Sequence, residues 1–176
     1  MLNTRLAPIV CGLLLAIAQK PTFSQSIAKG ATDVTHADIL TVLKMAQTDQ
    51  QLKVVDIGTY NVGVGILHRG AMKSGAAGVS GLSHNQVTEV YYVVSGSGTL
   101  VTGGKIYNGR KSGPTSEVTK VLNGPSCSGT IAGADVVKKV VNVGDIVIIP
   151  AGTPHSFSQL DGPISYLVYR FEPSAK

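Results

Sequence analysis

Hydrophobic residues follow two rhythms along this chain. In THADILTVLKMAQ, residues 35–47, Ile39, Leu43 and Ala46 recur at helical spacing. Thr35 with Asp38 three residues on makes a capping box, so the pattern predicts one helix with a face to bury. His36 falls in its first turn and reads as a surface residue. Beyond the helix the period becomes two. LKVVDIG, YNVGVGILHR, ADVVKKVVNV, DIVIIP, HSFSQL and ISYLVYRFE read as strands separated by Gly, Pro and Asp turns. QVTEVYYVVSGSGTLVTGG reads as a hairpin, two β-branched runs joined through Ser95-Gly96-Ser97-Gly98. Residues 103–133, rich in Gly, Ser, Thr, Asn and Lys, break the rhythm and read as a long loop with one or two short edge strands. Many short strands after one helix predict an all-β sandwich or barrel.

The first residues follow neither rhythm. Arg5 precedes an unbroken apolar run at residues 6–18, too short to span a bilayer, that ends in small residues. Residues 1–25 are therefore expected to be a signal peptide, and the protein to be exported to a periplasmic or extracellular location. Residues 26–59 then hold the helix and a lead-in strand, and residues 60–176 one barrel. Losing Arg5 and Lys20 leaves thirteen basic residues against ten acidic ones, a net charge of +3. With no basic run or basic–aromatic interleaving, this excludes a nucleic-acid partner, and no stable membrane insertion is expected after processing. Cys127 is then the one cysteine left, so no intrachain disulfide is expected and the core must hold the fold.

Two stretches carry candidate chemistry. In GDIVIIPAGTPHSFSQ, residues 144–159, Gly144 begins a turn, Pro150 stops ladder pairing and Gly152 permits a tight reversal that aims His155 inward from the next strand. Phe157 and Gln159 follow at period two and are expected to line the same cavity. In GLSHNQVTEVYYVVSG, residues 81–96, Glu89, Tyr91 and Val93 share one strand face while Val90, Tyr92 and Val94 share the other. If the Glu89 face is the barrel interior, a carboxylate enters the core. It must then be protonated, paired with a cation or bound to a metal.

The spacing G-x5-P-x-G-x2-H fits Gly144, Pro150, Gly152 and His155, and H-x4-E-x6-G fits His84, Glu89 and Gly96. In this order they resemble the two motifs of the cupin superfamily, and the chain is similar to small exported bacterial cupin proteins. The resemblance covers roughly residues 60–172. It implies a double-stranded β-helix, a jelly-roll barrel, with a divalent metal (Fe, Mn, Zn or Ni) near its axis. Carried over, the metal ligands are His84, Glu89 and His155. The family's first histidine is absent, with Leu82 in its place, and Gln159 stands where the family has a final asparagine. Gln86, through its amide oxygen, and Tyr91, two residues beyond Glu89, are candidates for the vacant place. Some lyase-type cupins use a tyrosine in this relation as ligand or base, and an adjacent cation favours the phenolate.

Two histidines and one carboxylate are the minimal set that holds Fe(II) with open positions, or Zn²⁺ with a water. The resemblance thus implies a metal-dependent enzyme acting on a small organic molecule by oxygenase, lyase or isomerase chemistry, with Glu89 or Tyr91 moving a proton. The alternative is a non-catalytic barrel that binds a sugar or other small ligand around a degenerate or structural metal site. A homodimer through the sheet edge is a further association that the family implies. Arg69 has the planar fork that suits a substrate carboxylate. Its neighbour His68 reads as a half-buried strand histidine bonded to backbone. Tyr166 and Val168 are expected as further cavity lining.

Overall fold

A computed structural model of the chain describes residues 30–44, 49–76 and 78–174. The expected signal peptide at residues 1–25 lies outside the described residues. The described helix is short, α1 (His36–Leu43), and the capping box forms: Thr35 N donates to Asp38 Oδ2 at 2.9 Å and Asp38 N to Thr35 Oγ1 at 3.2 Å. Helical spacing predicts a buried face, but no α1 residue is fully buried, and Leu40 and Leu43 are exposed. His36 is exposed, as its place in the first turn suggests. No described helix is long and apolar enough to cross a membrane.

The remaining elements are strands: β1 (Asp49–Asp56), β2 (Tyr60–Arg69), β3 (Met72–Lys73), β4 (Val79–His84), β5 (Thr88–Ser95), β6 (Gly98–Thr102), β7 (Lys105–Lys111), β8 (Ser126–Ala132), β9 (Val137–Val141), β10 (Ile146–Ile149), β11 (His155–Leu160) and β12 (Ile164–Pro173). They form two antiparallel sheets. One runs β1-β2-β12-β5-β10; the other runs β7-β8-β4-β11-β6-β9, with β3 also paired to β11. Together they make a jelly-roll barrel. The inward faces meet in one core that includes Leu67, Val93, Leu100, Leu160, Ile164 and Val168.

Three local expectations are corrected. β5 and β6 are not a hairpin: β5 pairs with β12 and β10, while β6 pairs with β11 and β9. Both edges of β5 are taken by strands distant in sequence, so the Gly-Ser turn carries the chain from one sheet to the other. Residues 103–133 hold two short strands, within the one or two expected, β7 and β8, with one turn of π-helix (Val118–Leu122) between them. β7 is an edge strand, but β8 is paired on both sides, with β7 and β4. Finally, Gln159 does not line the cavity with Phe157. A bulge between them shifts the register against β6, so the alternation slips by one and Leu160 takes the inward position. The Gln159 amide instead donates to Asp161 Oδ1 at 2.7 Å on the exposed side.

Gly96 is the corner that makes the sheet change possible. It sits at φ +74°, and a Cβ there would run into the Pro163 carbonyl oxygen and lie 2.9 Å from Ile164 Cα. Gly96→Ala is expected to destabilise the fold by roughly 2 kcal/mol or more in urea unfolding, from left-handed strain and the backbone clash together. Gly70→Ala, where nothing lies within 4 Å, is the control and should change little.

Candidate metal centre

His84 and Glu89 come from opposite sheets although they are five residues apart. His84 ends β4, the chain crosses at residues 85–87, and Glu89 enters β5. Along β5 the alternation holds: Glu89, Tyr91 and Val93 are buried, while Tyr92 and Val94 are exposed. His155 begins β11 and pairs across to Leu82 of β4. The turn before it is anchored on the first motif, since Gly152, at φ +81°, donates its N–H to the His84 carbonyl at 2.6 Å. Ala151 N also donates to Thr88 Oγ1 at 3.2 Å. The two motifs therefore position each other through backbone contacts.

The three side chains converge in the core, at 3% exposure for His84, 2% for Glu89 and 5% for His155. His84 Nε2 lies 3.7 Å and His155 Nε2 3.3 Å from the same oxygen, Glu89 Oε2. One ligand atom from each residue lies within 4.8 Å of the other two. The opposite ring nitrogens are occupied. His155 Nδ1 sits 2.9 Å from the Thr153 carbonyl, which can only accept, so Nδ1 carries the proton. His84 Nδ1 sits 2.8 Å from Ser126 Oγ, whose own hydrogen goes to the Gly124 carbonyl at 3.0 Å, so this Nδ1 also donates. In the neutral form of both imidazoles, two bare Nε2 lone pairs would face one carboxylate oxygen. Three lone pairs aimed at a common point repel unless a cation joins them, and ring N–H groups held by second partners are the usual setting of metal-binding histidines. The donor set fits a divalent ion.

Sequence reasoning missed a protein cation that pairs with Glu89. Arg170 of β12, 3% exposed, donates from Nε to Glu89 Oε1 at 3.1 Å, from Nη1 to Gln51 Oε1 at 2.7 Å and from Nη2 to Asp49 Oδ2 at 2.6 Å. The signal was present: Tyr166, Val168 and Arg170 follow at period two, so the expected inward face of β12 also carries the arginine. Burial alone would raise the Glu89 pKa, but His155, His84 and Arg170 outweigh it and bring it down to about 2. Of the three fates open to this carboxylate, protonation is therefore excluded, and pairing with a protein cation is realised.

Tyr91 lies beside the histidines, and its hydroxyl donates to Glu89 Oε2 at 2.8 Å. Burial first, then the Glu89 charge, push it well above the ordinary phenol range, so it is held as a proton donor rather than as a phenolate. Gln86 is exposed in the bend between β4 and β5 and does not line the cavity, because the chain is crossing between sheets there. Leu82 does line it, as an apolar wall where the family's first histidine would stand. Phe157, Arg69 and Tyr166 line the same space, a cavity of about 380 Å³; Val168 is buried in the core instead. His68 is exposed and bonds the Ser165 hydroxyl at 2.9 Å rather than backbone, because it takes the outward position next to Arg69.

Burial lowers the His84 pKa to about 4 against the opposing pull of Glu89, with His155 and Arg170 lowering it further. When unfolded, this residue takes a proton near 6.5. The unfolded chain thus binds more protons between these values, and stability falls as pH drops through that window. Glu89 adds a second loss, its contribution being complete above about 4.5 and lost as pH falls toward 2. Calorimetry of chelator-treated protein should show Tm declining from pH 6.5 to 4, and His84→Gln should flatten that limb.

No family model matches the chain, and no curated protein does. Solved structures similar in fold include BH2720 from Bacillus halodurans, 14% identical over 85% of this chain and 88% of that one, with a TM-score of 0.45. A cupin protein from Bacteroides fragilis is 20% identical over 65% of this chain and 69% of that one, with a TM-score of 0.37. DMSP lyase DddQ from Ruegeria pomeroyi is 15% identical over 65% of this chain but 40% of its own length, with a TM-score of 0.38. The chain folds as a jelly-roll barrel, and the two motifs that resemble those of the cupin superfamily meet inside it.

Proposed function

We propose that this barrel holds a divalent metal through His84, Glu89 and His155 and acts on a small organic molecule bound in the adjoining cavity. The carrying observation is the pair of imidazoles whose Nε2 atoms face Glu89 Oε2 at 3.7 and 3.3 Å while each Nδ1 is held by a second partner. A divalent ion at such a set supplies Lewis acidity toward a bound oxygen atom and leaves positions open for the molecule. Arg170 fixes Glu89 by Oε1 and so presents Oε2 to the histidines. Leu67, Leu82, Leu100 and Phe157 give the cavity an apolar wall. Tyr91 holds a proton at Glu89 Oε2, beside the space the molecule would occupy. A phenol kept protonated there supports proton-transfer chemistry, of lyase or isomerase type, over oxygenation. The leader-like run at residues 6–18 supports placing this activity outside the cytoplasm.

One observation favours a second reading. Arg170 and Tyr91 already give Glu89 a cation and a hydrogen-bond donor from the protein itself. A closed network of this kind is compatible with a barrel that binds its ligand without catalysis.

Elemental analysis of native protein and titration with Fe(II), Mn(II), Ni(II) and Zn(II) separate the two readings. One ion per chain is expected, bound at micromolar concentration or better, and lost in Glu89→Ala. Protein that carries no metal and takes up none establishes the second reading. Ser126→Ala removes the hydroxyl that orients His84 and should weaken metal affinity by about 10–100-fold. Ser116→Ala, outside the cavity, should leave metal affinity unchanged.

A further inference from the structure

The cavity contains two arginines in different states. Arg170 has committed Nε, Nη1 and Nη2 to Glu89, Gln51 and Asp49. Arg69, at the end of β2, donates only from Nε, to the Tyr166 hydroxyl at 3.0 Å. Neither of its terminal nitrogens has a partner among the described residues, and no carboxylate among them lies within ion-pair distance. Tyr166 is itself locked, 1% exposed, with its ring centroid 4.5 Å from that of Tyr91 and tilted 40° to it. The fork of Arg69 is therefore oriented by a rigid phenol while its outer edge stays open in the cavity wall.

Charge points the same way. The carboxylates of Asp49 and Glu89 balance Arg69 and Arg170 in the cavity wall. A divalent ion at the histidines would leave this half-buried space with two positive charges in excess. An anion is what such a cavity retains. The wall also holds Asn123, whose Oδ1 is buried without a partner and, as an acceptor, would take a hydroxyl or amine on the ligand's body rather than its carboxylate.

We infer that the molecule this barrel binds is a small organic carboxylate, its carboxylate seated on the open fork of Arg69 and its body extending toward His84, Glu89 and His155. The charge excess rests on the metal reading above; the geometry of Arg69 does not. Arg69 is thus a specificity-determining residue that selects an anion over a neutral molecule of the same shape. A planar guanidinium takes a carboxylate through two parallel hydrogen bonds, which a lysine cannot reproduce.

The test is calorimetric titration of four monocarboxylates (propionate, lactate, benzoate and phenylacetate) against their amides. Metal content is measured in the same samples, with wild type and Arg69→Gln each metal-loaded and chelator-treated. At least one carboxylate should bind metal-loaded wild type while its amide does not, and Arg69→Gln should weaken that binding at least about tenfold with metal content unchanged. If the protein holds no metal yet takes a carboxylate through Arg69, the metal reading falls and this site stands. If metal-loaded wild type takes none of the four, or Arg69→Gln takes them as well as wild type does, the inference is overturned. Should Arg69→Gln fail to fold, Arg69→Lys carries the test: binding weakened several-fold supports the inference, and unchanged binding overturns it.

Discussion

Glu89 places a full negative charge in the middle of a small β-barrel, and the surrounding polar structure answers to that charge. A carboxylate 2% exposed to solvent is sustained only by partners that favour its ionised form. The chain supplies two of them, Arg170 on Oε1 and the Tyr91 hydroxyl on Oε2. Arg170 is held in turn by Asp49 and Gln51 of β1. The lead-in strand, first in the sheet order, is therefore part of the support of the centre. Burial pushes Asp49 above the ordinary carboxylate range and Arg170 pulls it back, which shows how far this network extends from solvent.

The division of labour between the two carboxylate oxygens links electrostatics to chemistry. Because Arg170 takes Oε1, the oxygen left to the histidines is always the same one. Ser126 and Thr153 then set the ring proton of each histidine on the far side. The result is a site organised before anything binds, which lowers the cost of binding. Tyr91 and Tyr166 extend the order outward through their tilted ring contact to Arg69. A single row of side chains thus connects the carboxylate at the centre to the open arginine in the cavity wall.

Much of this site is legible in the residues themselves. The inward set Glu89, Tyr91 and Val93 follows from alternation, and His155 follows from the turn that Pro150 and Gly152 build. The same alternation extended two residues past Val168 reaches Arg170; stopping at the aromatic and aliphatic positions is what concealed it. Gln159 shows the limit of the method. Period two holds only while the ladder is regular, and one bulge after Phe157 turns the amide away and brings Leu160 inward. Gln86 failed for a related reason, since residues 85–87 cross between sheets and no strand face is defined there.

What the sequence by itself determined is what one strand imposes on its own residues: the alternation of faces, a break in the chain's rhythm at the glycines of residues 95–98, the turn before His155 and the helix cap at Thr35. These depend on φ, ψ and contacts within a few residues. Only the tertiary structure decided which strands are neighbours. It separated β5 from β6, inserted β8 between β7 and β4, and brought Arg170 to Glu89 across eighty-one residues of chain. Pairing of distant strands is a property of the whole sheet, because each edge accepts whichever partner completes the barrel. Whether a buried carboxylate meets a protein cation is settled at that level and not before.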